Sequence, residues 1–347
     1  MKAAIITDIH YGIRQDSQVF HDNYKSFLDN IFFPTLQSQQ IDTIFMLGDL
    51  VERRQSINVQ TAKRLREDFL EKSASYNNYY IVGNHDCYYN NTNQVNSLRE
   101  LLQEENFNLY IDPTEIEIAG HKVLLLPWIC SDNHDRSMNL IDTTTAQICF
   151  GHLTIQGFEM YRGQYSEEGL NRSIFDKFDV VATGHFHHKS SRGNIHYLGA
   201  ATYQTWHDWE DPRGFHIFDF DTRSFEFIMN PYEMFKKVVY DDTNQDQTYI
   251  SQWDFNAFID TYVKIIVKNK SNPYIFDMFF NELEEVALDV KKIEERIFIE
   301  DTVDSDDCEN TIQILQKTIQ ELPDAVNKQQ LESFMIELYN EAQKIEV

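Results

Sequence analysis

The chain has 347 residues, 42% of them hydrophobic and 14% aromatic, a length that suits two domains and a composition that excludes wholesale disorder. Its net charge is −26, with 56 acidic against 30 basic residues. That excludes a grip on nucleic acid through a broad basic face, but not an enzyme acting on nucleic acid, because bound divalent ions and a partner can supply positive charge. The longest apolar run, Val123–Cys130, is far short of the ~20 residues of a membrane helix, so no membrane role is expected. The N-terminal MKAAIITDIH meets an aspartate too soon for a signal peptide. Cys87, Cys130, Cys149 and Cys308 show no CxxC spacing and fit small core residues in a reducing, cytoplasmic compartment.

In chain order, the first element is a strand, AAIIT, that runs straight into Asp8-Ile9-His10. DTIFML leads into Gly48-Asp49, and YYIV into Gly83-Asn84-His85-Asp86. AQICF leads into Gly151-His152, and DVVAT into Gly184-His185-Phe186-His187. Short β-branched or apolar runs stopped by Gly or Asp predict buried strands. Helix-period stretches lie between some of them, one including Leu65–Glu71 and another Asn96–Leu102. Strands alternating with helices predict a layered α/β domain. From Ile195 to Ile228 the apolar–polar alternation predicts antiparallel strands closing that domain, which is expected to span 1–240. Tyr262–Asn269 predicts another strand, and Ile275–Ile299 a helix followed by a short strand. These would form a small domain over 245–299. Residues 300–310 hold six acids and no base and predict a solvated linker. In 311–347, Ile312, Leu315, Ile319 and Leu322 share one helical face. Leu331, Phe334, Met335, Leu338 and Ala342 share another, after a turn at Pro323-Asp324. This helix pair has too little core to stand alone, so it packs back on its own domain or docks on a partner.

All five polar clusters follow strands, at the carboxyl edge where open α/β sheets bind ligands. Taken as one site, they offer Asp8, His10, Asp49, Asn84, His152, His185 and His187: four imidazoles, two carboxylates and an amide. Mixed nitrogen and oxygen donors suit Mn, Fe, Zn or Ni better than Mg or Ca. Seven donors are too many for one ion and suit two, sharing a bridging carboxylate. Two ions about 4 Å apart can clamp a phosphoryl group and activate water. His85, between Asn84 and Asp86, is then the candidate proton donor to the leaving oxygen, with the Asp86 carboxylate fixing its ring.

The ordered motifs DIH (8–10), GDLVE (48–52), GNHD (83–86), GH (151–152) and GHFH (184–187) resemble those of the calcineurin-like metallophosphoesterases. The resemblance covers the first ~200 residues. It implies a four-layer α/β sandwich: two mixed sheets flanked by helices, with a small α/β capping domain and a C-terminal helix pair. It also implies that Asp8, His10, Asp49 and His187 hold one ion, and Asp49, Asn84, His152 and His185 the other, with Asp49 bridging. GHLTIQGFEMYRG (151–163), DPRGFHIFDFDT (211–222) and the domain layout further resemble the nuclease subunits of double-strand-break repair complexes, in the version carried by T-even-like bacteriophages. That resemblance implies a manganese-dependent exonuclease and endonuclease acting on DNA in recombination and repair, with magnesium the alternative ion in vivo. It implies an SMC-like coiled-coil ATPase docked on 311–347, homodimerisation through helices of the first domain, and a host-cytoplasmic location.

Some positions depart from the pattern. Many cellular members carry an aromatic where this chain has Val51, and Glu52-Arg53 faintly echoes the GD-x-x-D-R of phosphomonoesterases. A phosphomonoesterase or small cyclic-nucleotide phosphodiesterase is therefore the second reading, and a non-catalytic scaffold the third. Tyr11, Arg53, Arg54 and Arg213 are candidate substrate contacts. For Tyr11 packing near the metals is as plausible as stacking a base, and for Arg213 a plain turn residue is slightly favoured. Phe186 is expected to point away from the site and anchor its loop. His188 matches no motif position and is expected to be solvated or to stand behind the ligands.

Overall fold

The computed structural model describes residues 1–102 and 107–294, together with Ile319 and Leu331. It divides into two compact units, residues 1–236 and the residues from 237 on. The acidic linker and the helix pair expected over 300–347 lie outside the described residues, those two positions aside.

The first unit contains strands β1 (Lys2–Ile6), β2 (Thr43–Leu47), β3 (Asn77–Ile81), β4 (Phe107–Tyr110), β5 (Thr114–Ile118), β6 (His121–Leu126), β7 (Ile148–His152), β8 (Glu159–Tyr161), β9 (Gln164–Tyr165), β10 (Val180–Gly184), β11 (Ser190–Arg192), β12 (Ile195–Tyr197), β13 (Gly214–Asp219) and β14 (Ser224–Met229). Two six-stranded mixed sheets result, in the orders β14-β13-β1-β2-β3-β4 and β11-β12-β10-β7-β6-β5, with β8 and β9 as a separate hairpin. Strands β1 to β4 run parallel, as do β6, β7, β10 and β12, so each sheet gathers its parallel strand ends along one edge.

The sheets face each other across a dry core. Ile5, Phe45, Leu47, Ile81 and Phe218 of the first meet Val123, Leu125, Phe150 and Ala182 of the second. These are the inward positions of runs buried on both faces, which is why the strands read as continuous apolar stretches rather than alternating ones. Helices cover the outer faces. A continuous helical stretch over 18–38, with a π turn at Leu28–Phe32, lays Phe27 and Phe32 against Phe215 of β13. A second over 59–73 adds Phe69 to that layer. On the other side, helix His134–Thr143 buries Ile141 against Leu124, Leu126 and Cys149. The layering is helix, sheet, sheet, helix.

Two expectations need correction. Ile195–Tyr197 alternates like an antiparallel strand but pairs parallel with β10, and it is antiparallel only to the short β11. The helices over 18–38 and 134–143 were not anticipated. In the second unit β15 (Phe235–Asp241), β16 (Tyr262–Asn269) and β17 (Asp289–Glu294) form a three-stranded sheet in that order. Helix Pro273–Val286, with Pro273 at its first turn and the Asn272 side chain accepting from the Tyr274 N–H, buries Ile275, Phe276, Phe279 and Leu283 against it.

Candidate metal centre

The parallel strand ends of both sheets meet at one edge of the first unit. Each strand stops where the chain must turn sharply, and the turning residues are the candidate ligands. Asp8, His10, Asp49 and His185 all have positive φ, at 53°, 55°, 54° and 88°. Residues other than glycine rarely adopt that region, and such strain concentrates at functional sites. Glycines before the ligands let the segments touch. A Cβ on Gly184 would collide with Thr7 Oγ1, and one on Gly83 with Asp49 Oδ1. Any larger residue there would push two ligand loops apart.

Three groups of side chains have donor atoms within 4.8 Å of one another: Asp8, His10 and His187; Asp49, His152 and His185; and His10, Glu52 and His85. Asp49 stands between the first two, with Oδ2 3.7 Å from His10 Nε2 and 3.3 Å from His152 Nε2. Asn84 Oδ1 is 3.0 Å from His152 Nε2 and so belongs to the second group. Thus the structure brings all seven candidate ligands to one place, as two sets joined by one carboxylate.

The converging atoms are carboxylate and amide oxygens and imidazole nitrogens. His152 Nδ1 sits 2.8 Å from the Leu47 carbonyl, while its Nε2 faces Asn84 and Asp49 oxygens. A neutral imidazole has one N–H, so one of these contacts lacks a proton. His10 Nε2 and His187 Nε2 face each other at 3.1 Å. Burial opposes charge on His10 and His152, yet the surrounding carboxylates, chiefly Glu52 and Asp49 for His10 and Asp49 for His152, lift both to about 9. His185, buried beside His152, is pushed down to about 3, and burial next to His10 drives His187 well below the usual range. The pocket therefore calls for positive charge in two places but cannot protonate every ring. Two cations fit this donor set, each replacing a proton that the geometry cannot satisfy.

His85 lies beside the ligands rather than among them. Its ring meets His10 edge-on at 4.7 Å, its side chain is 36% exposed, and its Nδ1 lies 2.7 Å from the Glu52 carbonyl. A carbonyl can only accept, so that contact places a ring N–H on Nδ1. The carboxylate expected to orient it does something else. Asp86 is buried and accepts the backbone N–H groups of Asp49, Leu50, Val51 and Gly83 at 2.8 to 3.2 Å. It shapes the turn that presents Asp49. Adjacency in sequence misled here, because after the tight turn at Gly83 the two neighbours point to opposite sides.

Glu52 has a role that its sequence position does not reveal. Its Oε2 is 2.7 Å from His10 Nδ1, an ion-pair contact off the ring N–H axis, and its carbonyl is the oxygen that holds His85. One residue thus orients a ligand with its side chain and the candidate proton donor with its main chain.

The expected substrate contacts fare unevenly. Tyr11 is 2% exposed, its ring between His21 and Tyr24, so it cannot stack a base. Arg213 is 1% exposed and pairs with Asp208 and Asp211, so it is neither a substrate contact nor a turn residue. The helix starting at Gln18 packs His21 and Tyr24 on Tyr11, and Arg213, just before β13, is buried among its own carboxylate partners. Arg53 is exposed and pairs with Asp16 at 3.0 Å, and Arg54 lies over the Trp128 ring at 5.2 Å. Phe186 is buried and stacks on Tyr197. His188 stands behind the ligands, its Nδ1 2.9 Å from Asp211 and its Nε2 3.2 Å from Glu159.

Comparison with known proteins agrees with this geometry. The chain is similar to exonuclease subunit 1 of Enterobacteria phage T4 at 29% identity, with 99% of each chain covered. It is similar to the SbcD subunit of the SbcCD nuclease of Staphylococcus saprophyticus at 23% identity, over 62% of this chain and 65% of that one. A solved archaeal phosphodiesterase aligns with 66% of this chain and 99% of its own at 15% identity, with a TM-score of 0.34. Among the described residues no helix is long and apolar enough to cross a membrane. The family model described as calcineurin-like phosphoesterase matches residues 1–189, which include all seven candidate ligands and His85, and the chain belongs to that family.

Proposed function

We propose that this chain is a nuclease subunit that hydrolyses phosphodiester bonds in DNA with two divalent ions, manganese by preference. Asp8, His10, Asp49 and His187 would hold one ion, and Asp49, Asn84, His152 and His185 the other. When bound, such a pair neutralises phosphoryl oxygens and supplies activated water. His85, when protonated on both nitrogens, then moves a proton: Nδ1–H stays on the Glu52 carbonyl, and Nε2–H gives its proton to the leaving oxygen, leaving the neutral ring. Glu52 keeps His10 and His85 in register, and Asp86 fixes the turn that presents Asp49.

The observation that carries the reading is the two ligand groups joined at Asp49, with a partly exposed histidine beside them. Full-length similarity to a phage exonuclease subunit favours DNA over a phosphomonoester. So does Arg53, the echo of the phosphomonoesterase motif, whose guanidinium is occupied by Asp16. Arg54, which lies over the Trp128 ring, remains our candidate for touching a substrate phosphate. The net charge of −26 fits a subunit that leaves much of the DNA grip to a partner, which we take to be an SMC-like ATPase docking on 311–347, and we take the subunit to dimerise through its helices.

The test is manganese-dependent cleavage of single-stranded or end-containing DNA by wild type and His85→Ala. We expect a loss of about 10²–10⁴-fold in rate with both ions still bound. No cleavage by wild type under any metal, with or without the partner, would reject a nuclease. Loss of metal from His85→Ala would make that residue a ligand instead.

A further inference from the structure

The loop bearing His185 and His187 is gripped from behind by a buried charge cluster that none of the metal motifs includes. Arg213 lies at its centre. Its Nη2 donates to Asp208 Oδ1, its Nη1 donates to the carbonyl of His187, and Asp211 Oδ2 is 3.1 Å from Nη1. Asp208 Oδ2 accepts the backbone N–H groups of Gln204 at 2.6 Å and Thr205 at 2.9 Å. The Gln204 side chain then donates from Nε2 to the carbonyl of Asp8 at 2.7 Å. Asp211 extends the cluster to His188, and His188 extends it to Glu159 of β8.

Two of the three ligands in the first group, Asp8 and His187, therefore have their main-chain carbonyls tied to one cation and its carboxylate. Asp8 needs such a tie, since it sits at a φ of 53° that an L residue holds only when its surroundings impose it. The second group touches this network only at one remove, where the His185 N–H donates to both carboxylate oxygens of Asp8 at 3.1 Å. His152 rests on a strand carbonyl, and Asp49 on the turn held by Asp86.

We propose that Arg213 is a positioning residue chiefly for the first ion. Its planar fork fixes the backbone of His187 directly and that of Asp8 through Asp208 and Gln204, so that both side chains converge with His10. Groups outside the ligand shell that orient ligands typically change metal affinity by about 10–100-fold. Lysine cannot replace the fork, because a point charge cannot serve Asp208, Asp211 and a carbonyl with fixed angles. The inference rests on the two-ion reading above but not on DNA as substrate.

The experiment is a manganese titration of the full chain by calorimetry, with electron paramagnetic resonance to separate coupled pairs from lone ions. Wild type should bind two ions and show the coupled signal. Arg213→Lys should weaken one site about 10–100-fold, change the other far less, and show lone-ion signal at concentrations that give wild type its pair. Gln204→Leu, which removes the link to Asp8 without disturbing a buried charge, should weaken the same site by less. Both variants binding two ions as wild type does, with only a lower melting temperature, would reduce Arg213 to a structural role and overturn the proposal. Equal weakening of both sites would also overturn it. A wild type that binds no manganese would instead reject the two-ion reading.

Discussion

The two ligand groups share a carboxylate yet are supported in different ways. The second group is built on the backbone of the sheets. His152 ends β7 and leans on the Leu47 carbonyl of β2, and Asp49 rides on a turn whose N–H groups are collected by Asp86. The first group is held by side chains that reach in from elsewhere: Glu52 on His10, Gln204 on Asp8 and Arg213 on His187. Backbone support is hard to alter without damaging the fold, whereas side-chain support can be tuned residue by residue. We expect the second ion to be the constant one and the first to be the one whose affinity varies.

The sharpest way to break this comparison is Asp86→Ala. It would leave four buried N–H groups with no acceptor and should destabilise the protein by about 3 kcal/mol or more, with weaker binding of both ions because Asp49 bridges them. Chemical denaturation and metal content of the purified variant measure both effects. A folded variant of normal stability that keeps two ions would show that the turn needs no such anchor. Glu52→Gln should do less. It removes the charge beside His10 Nδ1 but keeps the carbonyl that holds His85, so one manganese affinity should fall about 10–100-fold without a large change in melting temperature. A drop at both sites in the titration would contradict the division of labour.

The smallest effect is a control away from both groups. His216 on β13 is buried against Phe225 and Phe227, and burial, with Lys189 and His196 nearby, pushes its ring down to about 3. The unfolded ring titrates near 6.5, so the native state binds fewer protons as pH falls below that value. The stabilising contribution is complete above about pH 6.5 and is lost as pH falls toward 3. At pH 5.5 the loss is about 1 kcal/mol. The melting temperature of wild type should therefore fall relative to that of His216→Leu as pH goes from 7 to 5.5. Parallel curves would mean that His216 is not held neutral.

Much of the first unit was legible because its strands are buried on both faces and each ends in a polar cluster after glycine. Such runs can be read without knowing their neighbours. The helix over 18–38 was legible in principle: Phe20, Tyr24, Phe27 and Leu28 keep helical spacing, but the polar residues between them hid it. What could not be read was which groups meet across long separations. Glu52 reaches His10, and Arg213 reaches the His187 carbonyl, only because two sheets close on each other. Sequence neighbours such as Asp86 and His85 were assigned to each other for want of that information.

The first sheet places β1 between β2 and β13, so the strand that delivers Asp8 finds one of its two partners more than two hundred residues later. Proteins emerge from the ribosome from the N-terminus, and pairings of such separation form late. The ion pocket therefore closes only after β13 has been made and has docked. Until then the chain carries most of its ligands as loose imidazoles and carboxylates, with no place to hold a metal in the geometry that cuts.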